Sequence, residues 1–253
     1  MTDVATQVPA TIDYAADAGE GLEYTDSKCF RIPFLQMLQG QSPALDTVEG
    51  ARPGKFWNNV TNELFDKVVV VPCMFQRVYN RWAPRKDGGG FKGVFDAVKV
   101  DEKDIPNLTM LGNSVFIDVP EGKTPLDDQG KPQCDELVDT RNHYVLYHSV
   151  LDAQWHPALV SFKSSGIKKS RNWVTIMDGI KVATPEGPKT PATYSRTYEL
   201  GATKEENAEG AWWNVEAKMM GPTTDHSLYN TAKAFAKQIK AGMVEAVPTT
   251  DAA

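Results

Sequence analysis

The chain has 253 residues, 41% apolar and 24% charged, an ordinary globular composition with length enough for one large domain or two small ones. Mean hydropathy is -0.39 and no apolar run approaches the roughly 20 residues of a membrane-spanning helix, which excludes a helical membrane protein. The formal charge of -6 argues against a polyanionic partner, but it is unevenly spread: residues 1–66 and 101–140 are net negative, whereas 67–100 and 141–200 are net positive.

In chain order, residues 1–27 are acidic, small and polar, with too few large apolar residues to offset their ordering entropy, and they read as a mobile arm. The arm's first 26 residues hold no Lys or Arg, unlike a secretory or mitochondrial leader, so the chain is expected to stay in the cytoplasm where it is made. A single domain is expected over 28–241, with a long insertion at 83–142 and a flexible tail at 242–253. The β-branched and aromatic run KVVVVPCMFQRVYNRW predicts a strand over 67–82, with Pro72 at an edge or a bulge. Further strands are predicted near 115–119 and at 143–151, 157–163, 194–200 and 212–219. A helix capped by Ser164 or Ser165 runs to about Ile180, and a last helix over 225–241 starts on Asp225 and stops before Gly242. The principal order of three strands, helix and two strands is that of an α+β OB-fold, a five-stranded Greek-key barrel with a helix between strands three and four and here a C-terminal helix. Other α+β folds share this order.

Alternation along a strand puts Phe75, Arg77, Tyr79 and Arg81 on one face, and Tyr194, Arg196 and Tyr198 on one face of a second strand. Cations for phosphates and flat rings for unstacked bases are what single-stranded nucleic acid needs. The competing reading makes these rings core residues beside arginines at a barrel rim. Buried arginines would need acidic partners, and these two strands supply only Glu199, opposite in face to Arg196. The glycine-rich loop with Arg85, Lys86, Phe91 and Lys92, and the cluster Lys163, Lys168, Lys169 and Arg171 at the start of the first long helix, are either further phosphate contacts or plain solvated surface. Trp212 is expected to face outward, as a stacking platform or packed under the last helix, with Trp213 inward.

No catalytic or metal residue and no cofactor is predicted. The four histidines lack metal or triad spacing, and Cys29, Cys73 and Cys134 form no CxxC pair. Asp127, Asp128, Asp135, Glu136 and Asp139 read as a solvated loop rather than a Ca²⁺ site. Glu216 and Lys218 form an ExK pair, half of a Mg²⁺-nuclease pattern whose upstream Pro-Asp strand is missing.

The stretches FRIPFLQMLQGQSPAL (30–45), ARPGKFWNNVTNELFDKVVVVPCMFQRVYNRWAPRKDGGGF (51–91), NHYVLYHSVLD (142–152), PALVSFKSSGIKKSRNW (157–173) and YNTAKAFAKQI (229–239) resemble bacteriophage single-stranded DNA-binding replication proteins. The resemblance covers most of 28–241 and implies an OB barrel, no cofactor, a role in replication or recombination in the cytoplasm of an infected bacterium, and replisome contacts through an acidic tail. Here the acidic segment is N-terminal, since the last residues hold only Glu245 and Asp251, and the zinc ligands of the T4-like members are missing. The competing functions are a phage structural or assembly protein using the same sheet for protein contacts, and a Mg²⁺-dependent nuclease. Oligomeric state is not legible.

Overall fold

The computed structural model describes residues 20–25, 29–97, 105, 107–112, 114–208, 210–244 and 246. Most of the acidic arm and of the tail therefore lies outside the described residues. The chain divides into two compact units, Met1–Arg31 and Ile32–Ala253. In the first, Thr25 closes a turn by donating its hydroxyl to the Leu22 carbonyl at 2.8 Å.

The second unit is mostly β-sheet. A small antiparallel sheet is made by β1 (Leu35–Met37), β2 (Phe56–Asn58) and β3 (Leu64–Phe65), with the short α1 (Ala44–Thr47) between β1 and β2. The large sheet contains β4 (Val68–Trp82), β5 (Phe91–Asp96), β6 (Leu108–Leu111), β7 (Ser114–Ile117), β8 (Asp135–His148), β9 (Trp155–Phe162), β10 (Arg196–Asn207) and β11 (Gly210–Pro222). Two longer helices, α2 (Gly166–Gly179) and α3 (His226–Lys240), follow β9 and β11. The strands run in the order β11-β10-β4-β8-β7-β6, with β5 also on β4 and β9 also on β8.

The five principal strands and two helices appear in the expected order and the shorter strand expected near 115–119 is β7, but among the described residues the sheet has eight strands rather than the five of a barrel, and it is open. Among the described residues no ladder joins β9 to β11. The N-terminal segment lies between them instead: Phe34 pairs in parallel with Leu159, and the Gln39 side chain donates to the Trp213 carbonyl at 2.8 Å while accepting from its amide at 2.9 Å. The expectation missed β1 because three-residue strands carry no readable periodicity.

Three apolar clusters follow from the alternation. Leu35, Phe56, Val70, Val145, Tyr147, Val160, Tyr198 and Leu200 form the main core with Trp173 of α2. On the other face of β4, β8 and β9, Val71, Cys73, Tyr144, Leu146 and Leu159 meet Leu228, Ala232, Phe235, Ala236 and Ile239. That spacing is the apolar stripe of an amphipathic helix, each large side chain contributing roughly 1.5–3 kcal/mol by burial. The third cluster joins Tyr79 to Ile105, Val115, Ile117 and Leu137.

Local signals account for the ends of these elements. Asp225 caps α3 by accepting from the Ser227 and Leu228 amides at 2.7 and 3.3 Å. Ser165 precedes α2 but makes no side-chain cap. Pro72 sits at a register shift of β4 against β8, where a missing N–H is tolerated.

Candidate functional site

Phe75, Arg77, Tyr79 and Arg81 do share a face, registered against His143, Arg141, Asp139 and Leu137 of β8. That face is an ion network rather than a bare cationic track. Asp139 accepts from Arg77 Nη2 at 3.0 Å and from Arg141 Nε at 3.0 Å. Asp135, 6% exposed, accepts from Arg81 Nε and, at 2.7 Å, from Lys92, while Arg81 Nη2 reaches Asp118 at 2.8 Å. Burial alone would raise the Asp135 and Asp139 carboxyls. The hydrogen bonds from these cations outweigh it and hold both below the usual carboxylate range. Tyr79 is sealed at 3% exposure, its hydroxyl accepting from Arg77 Nη2 at 2.8 Å. The expected absence of acidic partners is therefore corrected. β8 begins at Asp135, eight residues earlier than predicted, and the acids read as a loop are cross-strand neighbours of the arginines.

The second predicted face, by contrast, does not form. Tyr194 lies in a single 3-10 turn, Thr193–Ser195, and a register shift at Thr197/Tyr198 breaks the alternation on which the prediction depended. Tyr198 is fully buried, 5.6 Å from Trp173, and offers no stacking surface. Arg196 donates to the Ser195 carbonyl at 2.9 Å.

The remaining predicted residues are dispersed. Arg85 and Lys86 are exposed in the turn before β5, and Phe91 packs edge-on against Trp82 at 5.7 Å. Lys163 is exposed just after β9, Lys169 pairs with Glu205 at 3.0 Å, and Lys168 and Arg171 face solvent on α2. Trp212 and Trp213 are both half-buried, so neither fits the simple outward and inward assignment. The Trp213 ring lies on Gly54, whose φ of +88° and lack of a Cβ permit the close approach. Asp127 accepts from the Gln129 and Lys131 amides at 2.9 and 2.8 Å in a self-contained turn, and Glu216 accepts from the Thr203 hydroxyl at 2.8 Å.

One predicted ring does come together with a set of cations that sequence reasoning missed. A groove of about 450 Å³ is lined by Tyr194, by Lys233, Lys237 and Lys240 of α3, and by Cys73, Met74 and Phe75 of β4, but the Phe75 ring turns to the other face of β4, 4.9 Å from the His143 ring that stacks on Trp173. Tyr194 is braced edge-on by Tyr229 at 5.0 Å. The three lysines are exposed and form no ion pair among the described residues. Their spacing of i, i+4 and i+7 places them on one shoulder beside the apolar stripe, and α3 contains no Asp or Glu. The readable signal was the pattern of HSLYNTAKAFAKQIK itself, an amphipathic helix with cations and no compensating acid.

One further pair has the look of catalytic chemistry. Ser170 Oγ lies 2.7 Å from His143 Nε2, but both side chains are fully buried, His143 is stacked on Trp173 at 4.4 Å, and its Nδ1 has no hydrogen-bond partner among the described residues. Without solvent or substrate access the pair is structural. Burial drives the imidazole pKa down from 6.5 to about 3. The unfolded chain therefore binds a proton between those values that the native fold refuses, and stability declines as pH falls below 6.5. The expected slope is about 1.4 kcal/mol per pH unit between pH 6 and 5, measured by urea unfolding and removed in His143→Phe. The lowered carboxyls Glu63, Asp135 and Asp139 enter only below about pH 4.5, where protonation removes their contribution.

The family described as Pam3 phage gp34-like protein matches residues 2–245. No curated protein and no solved structure matches the chain. No helix among the described residues is long and apolar enough to cross a membrane.

Proposed function

The chain belongs to the Pam3 phage gp34-like family, and on that premise we propose that it is a non-catalytic, sequence-tolerant single-stranded DNA-binding protein of phage replication or recombination, working in the host cytoplasm. The observation that carries this reading is the groove that Tyr194 lines together with Lys233, Lys237 and Lys240. At a rise of 1.5 Å per residue the lysines spread over about 10 Å of helix, a row of charges for successive phosphates, while the Tyr194 ring accepts a base. Lys237 and Lys240 also occupy the last turn of α3, where the helix carbonyls favour cations.

The pairing pattern supports an OB-like core. The path β9-β8-β4-β10-β11 supplies four successive antiparallel pairings of a five-stranded Greek-key barrel, and β1 occupies the place where β9 and β11 would close it. The N-terminal acidic arm would serve replisome contacts.

The test is a titration of labelled oligo(dT) at low salt, followed by anisotropy and Trp emission. Binding at micromolar protein that weakens linearly with the logarithm of salt is expected. Unchanged anisotropy under those conditions would overturn the reading in favour of an assembly role.

A further inference from the structure

β11 is the outermost strand of the large sheet. The amide and carbonyl of Trp213 point away from β10, because the Gln39 side chain takes both. Backbone direction alternates along a strand, so Val215, Ala217 and Met219 turn their N–H and C=O groups to the same outer side. Among the described residues no backbone or side-chain partner meets them there. A groove of about 860 Å³ spans β10 and β11, lined in part by Gly54, Ile176, Gly201, Ala202, Ala217 and Met219. An unpaired edge of this length is a template for another strand.

We propose that the strand it accepts is β11 of a second copy of this chain, antiparallel and related by a two-fold axis through Ala217. In that register Glu216 of each copy faces Lys218 of the other, and Val215 faces Met219. Both charged residues are exposed, and Lys218 forms no ion pair among the described residues. Axes through Val215 or Met219 would set Glu216 against Asn214 or Pro222 and match no opposite charges. A parallel arrangement in register would align like charges. The sequence Asn214–Met220 is thus self-complementary in one register, as an isologous contact requires. A lysine on an edge strand can by itself deter pairing, and the glutamate two residues earlier turns that deterrent into a complement.

The experiment is sedimentation of the full chain without DNA, so that its outcome is independent of the nucleic-acid reading. The wild type should sediment at twice 27.9 kDa at micromolar concentration. Glu216→Lys and Lys218→Glu should each shift it to monomer, and the double variant should restore the dimer. Ala217→Pro removes an outward N–H without touching the β10 ladder and should also give monomer, with unchanged circular dichroism. If Ala217→Pro misfolds, the charge-swap rescue decides. A wild type that stays monomeric, or single charge variants as dimeric as the wild type, would overturn the proposal.

Discussion

Replacing Lys233, Lys237 and Lys240 together by alanine should lower oligo(dT) affinity about 100-fold at low salt, taking roughly 1 kcal/mol for each partly solvated charge contact. It should also reduce the slope of log affinity against log salt by about 2, since each phosphate neutralised on a single strand contributes about 0.7. The three side chains project from the solvent shoulder of α3 and hold no acid in place, so the melting temperature should stay near that of the wild type. Tyr194→Ala should weaken binding by about 1–3 kcal/mol, the worth of one stacked base, and leave the salt slope unchanged. The contrast is Arg81→Ala. That arginine is already spent on Asp135 and Asp118, so the slope should hold. Stability should instead fall by about 2 kcal/mol, because Asp135 is left buried with Lys92 as its remaining cation. Opposite outcomes, with the slope moving on Arg81→Ala and not on the triple variant, would return the site to the face of β4.

The same contrast shows what the sequence discloses. β4 was legible because a run of β-branched and aromatic residues can bury on both faces, and α3 because an aspartate cap, an apolar stripe and a terminal glycine all agree. The first half of β8 was not legible. Its residues alternate Asp135, Leu137, Asp139, Arg141 against Glu136, Val138, Thr140, Asn142, and a strand whose inward face is an ion network loses the apolar periodicity that marks strands. Charge was read one element at a time, whereas Asp135 and Asp139 neutralise arginines about sixty residues away in sequence. Parity arguments also failed where the backbone broke step. The register shift at Thr197/Tyr198 sends Tyr198 into the core, away from the turn that holds Tyr194. The groove was missed for a related reason: its ring comes from a turn, its cations from the last helix, and only the packing of α3 against β4 and β8 joins them.

Glu63→Leu should be the most destabilising single change outside the apolar clusters, at about 3–5 kcal/mol. Glu63 is 4% exposed, and its carboxylate accepts from Tyr147 Oη and Ser149 Oγ at 2.7 Å, Thr61 Oγ1 at 2.8 Å and the Val150 amide at 3.0 Å. Burial pushes the carboxyl up, but these four donors together hold it below the usual glutamate range, so it is charged and satisfied at neutral pH. Asn58, itself fully buried, extends the network by donating to Tyr147 Oη at 2.9 Å. Leucine would fill similar space while leaving three side-chain hydroxyls and an amide without their acceptor, each a desolvated group worth about 1 kcal/mol or more. Glu63→Gln keeps one acceptor oxygen but turns an NH₂ towards hydroxyls that were donating, and should cost about 1–2 kcal/mol. For a unit of this size the leucine variant should melt about 10 °C lower. The charge also sets a direction in pH. The wild type loses this contribution as pH falls below 4.5 through the depressed pKa, so the gap between wild type and Glu63→Gln should narrow in acid. Since Glu63 touches neither α3 nor the groove lining, folded Glu63→Gln should keep the wild-type salt slope with oligo(dT). A leucine variant as stable as the wild type would mean that the network is wetter than its geometry implies.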